Sequence, residues 1–363
     1  MKLPVGLSVI CLLYSACSSA ESMAQHEGWA VYTGFDSFTY SDAYSVRGLL
    51  KKLDGAVEAG ERAFTFNRLD VGLEKGPWQL GLSVRYDYFL EFSEDASLFA
   101  YQEERGLPLT AGKHYQMDID IVHFQGQGLF AAYRWEPDQH LWLQPRISLL
   151  TGDKLRDGTI SGDTLVATGT AGSSGLLADY YYSQDILFDR KVSEAPTAKG
   201  ITADLAVHWQ VSPAFLIEMQ VQDLFSYIEW QNAPRTVARA STDNVSLEPD
   251  GTLNTTALLS WTESSETFTQ RLPVRTTLTG YWAWSDEVSA FAEIFAVGDT
   301  RMPRLGAKWR FSDAYMMGLY DFTSGALGVG AGYKGLSFFI YGDNTDLYQA
   351  HSLGVTLSAK LSF

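Results

Sequence analysis

The side chains able to do chemistry in this chain are few and widely spaced. Its two cysteines, Cys11 and Cys17, both lie within the first twenty residues. If that segment is removed, no thiol nucleophile, disulfide or cysteine-based metal site is expected. The six histidines, His26, His114, His123, His140, His208 and His351, show no HExxH spacing, and no GxSxG motif accompanies them. No enzyme activity, cofactor or metal is therefore expected. What remains is a set of ionisable residues at alternating positions: Asp70, Arg85, Asp87, Arg134, Arg146, Asp204, His208, Glu218, Glu293, Arg304, Lys308, Arg310 and Lys360. On the inner wall of a tube they would line and bias an aqueous pore. The competing role is pairing across neighbouring strands to brace a narrow tube, which is the expected role of any single one. Arg304, Lys308 and Arg310 share one face of one segment, so they require either carboxylate partners or an anionic solute.

The elements that must position these residues alternate with a period of two. In WQLGLSVRYDY, Trp78, Leu80, Leu82, Val84, Tyr86 and Tyr88 alternate with Gln79, Gly81, Ser83, Arg85 and Asp87. RLGAKWRF sets Leu305, Ala307, Trp309 and Phe311 against Arg304, Gly306, Lys308 and Arg310. The last residues, SLGVTLSAKLSF, put Leu353, Val355, Leu357, Ala359, Leu361 and Phe363 on one face and only small or polar residues on the other. Such alternation is a strand signal. Short turns at 74–77, 136–140, 212–213, 285–287, 312–313 and 334–335 contrast with long polar stretches at 91–123, 151–200 and 231–271. Threading backward from Phe363 gives about fourteen strands: 352–363, 336–342, 325–334, 314–321, 303–311, 287–298, 272–284, 214–228, 201–211, 140–150, 126–136, 78–90, 63–74 and 28–38. Extra hairpins in ADYYYSQDILF and TLNTTALLSW would make sixteen strands, or carry strands above a membrane. Residues 41–61 fit a helix or a loop.

The expected fold is all-β: a transmembrane antiparallel β-barrel with short periplasmic turns and long extracellular loops. Aromatic residues make up 13 % and charged residues only 19 %, a composition that suits such a wall. Trp78, Tyr86, Tyr88, Tyr133, Trp135, Trp209, Phe311, Tyr333 and Phe363 fall near strand ends, where an aromatic girdle would stand. A net charge of −16 argues against a nucleic-acid partner, since phosphate binding needs a basic face. The first residues, Lys2 followed by an apolar stretch and then small residues, read as a signal peptide over 1–24, cleaved after Ala20 or Ala24. A lipoprotein signal at Cys17 is the alternative. Residues 25–363 would then form a single barrel domain in the outer membrane, meeting lipid and lipopolysaccharide.

The alternating last strand with its terminal Phe resembles the signal by which the outer-membrane barrel assembly machinery recognises its clients. The resemblance implies that Phe363 is the recognised residue. DLAVHWQVSPAFLIEMQVQDL, followed by LGVGAGYKGLSFFIYGDN, resembles the fatty-acid-transporter-related group of barrels over roughly the C-terminal half. That group includes secretion-system components. The Asn-Pro-Ala-type signature of fatty-acid transporters is missing from the N-terminal part, so their hydrophobic substrate and ligand residues are not carried over. The leading functional expectation is a channel or transporter for small polar or amphipathic solutes, hydrophobic ones included. Alternatives are a non-transport barrel anchoring a secretion or surface assembly through its long loops, and a rim hydrolase built on His208.

Overall fold

The computed structural model describes residues 28–55, 57–166, 171–185, 187–247 and 253–363. The signal peptide and Cys17 readings fall outside the described residues. In chain order the elements are β1 (Trp29–Ser41), α1 (Val46–Leu50), β2 (Arg62–Lys75), β3 (Trp78–Phe92), α2 (Glu94–Glu104), β4 (His114–Tyr133), β5 (Trp135–Asp138) and β6 (Leu141–Val166). Then come β7 (Ala171–Tyr182), β8 (Thr197–Ser212), β9 (Phe215–Leu247), β10 (Leu253–Gln270), β11 (Arg275–Ala283) and β12 (Val288–Val297). The series ends with β13 (Thr300–Phe311), β14 (Ala314–Asp321), β15 (Leu327–Tyr333), β16 (Leu336–Gly342) and β17 (Ser352–Ser362).

Fourteen of these strands close into an antiparallel ring: each pairs with the next, and β17 pairs with β1 from Ala30↔Ser362 to Tyr40↔Ser352. The ring omits β5, β7 and β10. β5 is part of the turn between β4 and β6. β7 and β10 pair only with the upper parts of β6 and β9. The sixteen-strand alternative therefore fails, and the extra hairpins instead raise the wall above the ring. The polar stretches expected as loops are partly strand, because the sheet of β4, β6 and β9 continues past the membrane.

Alternation decides which face meets lipid. Leu80, Leu82, Leu129, Ile147, Leu149, Leu305, Leu327 and Val329 all point outward and are exposed. A contiguous apolar band of this kind, continuing around a closed ring, is far beyond the patches a water-soluble surface carries, and it is the lipid face of a membrane-spanning barrel. Trp29, Trp78, Trp135, Trp209, Trp282, Trp309 and Phe363 are exposed at the end bearing the short turns, forming the girdle expected there. On the inner face, Gly330 and Gly332 leave room for rings. A Cβ on Gly332 would lie 2.1 Å from Tyr315, and one on Gly330 2.8 Å from Phe339.

Local structure packs against the strands at the outer end. Residues 41–61 hold α1 and lean on two neighbours. The backbone N–H of Val46 donates to Ala350 O at 2.6 Å, and the Tyr44 hydroxyl donates to Ser97 O at 2.7 Å. Ser93 caps α2, with Glu94 and Asp95 in its first turn where the helix dipole favours acid. Tyr44, Phe92, Ala96, Leu109, Tyr115 and Met117 form the apolar core under this cap.

Just above the lipid belt, Gln270 ties the raised wall to the ring. Its amide donates to His123 O and to Asp157, both at 3.1 Å, and its carbonyl accepts from the Trp230 indole at 3.1 Å. Burial, with the nearby Asp120 charge adding to it, pushes the Asp157 carboxyl up to about 7, although the Gln270 hydrogen bond works the other way. An acid whose folded pKa is raised stabilises the fold in its protonated form, so this contribution is lost as pH rises through about 7. Asp157→Asn is expected to raise the thermal midpoint at pH 8 and to flatten its pH dependence between about 4 and 7. Melting of the two proteins in detergent across that range checks it.

Candidate functional site

The lumen is filled largely by the barrel's own side chains. At mid-height lies a continuous ionic layer. Arg85, fully buried, donates to both Asp223 oxygens at 2.7 and 2.6 Å and to Asp87 at 2.9 Å. Arg275 also donates to Asp223, at 2.9 Å, and stands 3.5 Å from Asp87. The Asp223 backbone N–H donates to Asp204 at 2.9 Å, and Arg68 donates to the same carboxylate at 2.8 Å. Arg68 reaches Asp70 at 3.4 Å, and Arg146 holds both Asp70 oxygens while its guanidinium lies 3.5 Å from the Phe130 ring centre. These charges are paired and hydrogen-bonded, the condition under which buried charge is tolerated.

Asp223 owes its place in this layer to a break in the strand pattern. Opposite Asp204, between the pairs Ala203↔Phe225 and Leu205↔Val221, β9 has three residues against one on β8. Asp223 takes a left-handed conformation there, φ 56°, which Asp tolerates better than most residues. The bulge turns its carboxylate inward and leaves both Leu224 and Phe225 exposed on the outer face.

Above and to one side, Arg304 donates to Glu293 at 2.9 Å and to Asp321 at 2.7 Å. Its guanidinium sits 5.1 Å over Phe38 and 4.9 Å over Tyr341. Toward the periplasmic end His208 meets Glu218 at 3.1 Å and stacks on Trp142, over which Arg134 lies at 5.2 Å. Lys360 donates to Glu74 at 2.7 Å, and Lys308 lies 4.3 Å over the Tyr315 ring. Arg310 is half-buried near the turn to β14 and makes no ion pair among the described residues. Of the alternatives for the Arg304 face, carboxylate partners supplied by the neighbouring strands are the arrangement found at Arg304.

Between the ionic layer and the Arg304 group is a cavity of about 140 Å³. Polar side chains line it from both sides of the ring: Asp36 and Thr356 from β1 and β17, Gln220 and Thr277 from β9 and β11. Among them stand the rings of Phe38, Phe66, Phe295, Phe339 and Tyr341, with Phe339 beside Thr356 and Phe295 beside Thr277, and Arg275 and Arg304 also line it. Asp36 and Gln220 lie within the ring of strands yet are exposed, because the surface they present is that of the cavity. Sequence reasoning assembled Arg85, Asp87, Arg146 and Asp204, which the structure brings together. It omitted Arg68, Asp223, Arg275, Asp321 and Asp36. Arg68 shares a strand face with Asp70, so its signal was present.

No protein-family model matches the chain, and no curated protein sequence matches it. Among solved structures the chain is similar to the toluene transporter TodX of P. putida, at 10 % identity over 93 % of this chain and 90 % of that one, with a TM-score of 0.44. It is similar to the toluene transporter TbuX of Ralstonia pickettii at 14 % identity, 93 % and 90 % coverage and a TM-score of 0.44. A Pseudomonas aeruginosa FadL homologue matches at 11 % identity, 92 % and 89 % coverage and a TM-score of 0.34.

Removing one member of the ionic layer strands its partners. Asp223→Ala leaves Arg85 and Arg275 to share Asp87, and is expected to destabilise the barrel by about 3–5 kcal/mol. Urea unfolding in lipid vesicles measures it, and a loss below about 1 kcal/mol would show that the layer does not brace the wall.

Proposed function

We propose that the chain is an outer-membrane channel that carries small amphipathic solutes through its lumen, with the mid-barrel cavity as their binding site. The observation that carries this reading is the cavity itself. It is a space lined by both aromatic rings and polar groups, inside a barrel whose outer face is apolar. Ligand sites are typically concave and mostly apolar, with a few placed polar groups that set orientation. Apolar cavities of about 150 Å³ take a guest the size of benzene, so the fit is to a small ring or short chain bearing one polar group. The lumen around the cavity is packed, so passage requires side chains of the ionic layer to exchange partners. That makes the protein a selective carrier of single solutes rather than a wide aqueous pore.

The same reading gives Phe363 a role in assembly. It stands exposed at the periplasmic end, and its backbone exchanges hydrogen bonds with Trp29 at 2.9 and 3.1 Å. An exposed terminal ring on a strand with one apolar face suits recognition by the assembly machinery.

Reconstituted in vesicles, the wild-type barrel is expected to pass small amphipathic solutes faster than protein-free vesicles while conducting simple salts poorly. Uptake and planar-bilayer recordings test this together, and uptake no faster than through bare lipid would overturn the channel. Phe363→Ala is expected to lower the fraction of the protein recovered in the outer membrane without altering its synthesis, as read by membrane fractionation.

A further inference from the structure

We propose that the cavity selects a solute carrying an ammonium group on a small apolar body, with Asp36 as its charge partner. This rests on the cavity being the solute site, and it adds a class of solute to that reading.

One carboxylate of the central lumen stands without an ion-pair partner among the described residues. In the central lumen Asp70, Asp87, Asp204, Asp223, Glu293 and Asp321 each have a guanidinium within 4 Å. Asp36 differs. Its side chain accepts from the Thr356 hydroxyl at 3.1 Å, and it makes no ion pair among the described residues. Five guanidiniums, those of Arg68, Arg85, Arg146, Arg275 and Arg304, thus pair with six of these carboxylates and leave Asp36 without one. The two arginines at the cavity edge are each already engaged by two acids. An anionic solute would set a second negative charge beside Asp36, whereas a cation would supply the ion-pair partner it lacks.

The walls suit an organic cation better than a bare ion. An ammonium group has N–H donors and no acceptor. Asp36 and the Thr356 oxygen on β1 and β17, and the side-chain carbonyl of Gln220 on β9, offer acceptors around the cavity. The cavity's rings already serve as platforms for cations: Arg275 sits 4.3 Å over Phe66, and Arg304 lies over Phe38, Phe295 and Tyr341. Phe339 lines the same cavity with no guanidinium over its ring among the described residues, leaving a face for a cation–π contact or for the solute's apolar body. The volume of about 140 Å³ holds one benzene-sized body.

Binding to the purified full-length barrel in detergent tests this without requiring transport. The probes are benzylamine, benzyl alcohol, benzoate and toluene, compared by titration calorimetry at neutral pH and low salt. Benzylamine is expected to bind roughly tenfold tighter than benzyl alcohol, in keeping with a charge-assisted contact, and benzoate weakest. Asp36→Asn is expected to bring benzylamine within about twofold of benzyl alcohol while toluene binding stays as in the wild type, which also shows that the variant is folded. Phe339→Leu is expected to weaken benzylamine and toluene together. Benzoate or toluene binding as tightly as benzylamine, or an amine preference that survives Asp36→Asn, would overturn the proposal. A barrel that binds benzylamine through Asp36 yet passes no solute would overturn the channel and leave this inference standing.

Discussion

A charged side chain in the spanning part of this wall has only one direction in which to go. The outer face meets hydrocarbon, where an unmatched charge or an unpaired backbone group costs several kcal/mol, so every ionisable residue of the ring must be satisfied inward. Period-two alternation carries out that sorting without further instruction, because each residue that faces the lumen leaves its neighbours facing lipid. The inner charges then have to be matched among themselves within the width of the barrel. The Arg85–Asp223–Asp204–Arg68 chain is how this sequence meets the requirement.

Much of the architecture was legible from that same alternation. The strand ring, its direction, and the inward placement of Arg85, Asp87, Arg146 and Asp204 all follow from counting by twos. Asp223 could not be found this way. On a regular β9 it falls with Val221 on the lipid side, and only the bulge opposite Asp204 reverses it. Asp321 lies at the last position of β14, and Arg275 at the first position of β11 after Pro273, where pattern counts are shortest and register is least defined. The height of the extension was equally hidden, because alternation looks alike whether the outer face meets lipid or water. Asp36 was missed for another reason. Nothing in TGFDSFTY separates a carboxylate that braces the wall from one left facing a cavity, since the difference lies in which strands happen to bring arginines across.

The ionic layer and the cavity are two outcomes of one packing problem. Where large rings and guanidiniums interleave, as around Arg304, the lumen closes. Where small side chains such as Thr277 and Thr356 line the lumen, space is left over. The glycine face of β15 shows the same trade in reverse, since removing its side chains lets Tyr315 and Phe339 lie flat on the wall and sets how far Phe339 reaches toward the cavity. Rigidity and capacity are thus distributed by residue size along neighbouring strands.

The seam between β1 and β17 joins segments more than three hundred residues apart, whereas every other junction in the ring joins segments far closer in sequence. The entropy of closing so long a loop rises only slowly with its length, so the obstacle is not distance. It is that a sheet with thirteen junctions made still has two raw edges, and hydrocarbon offers neither of them a partner. Partial closure brings little relief, because each register pair left open remains an exposed donor and acceptor. Insertion into the bilayer and completion of the circle must therefore coincide, and a half-built barrel has no resting place in the membrane unless something else covers both edges until Ala30 meets Ser362.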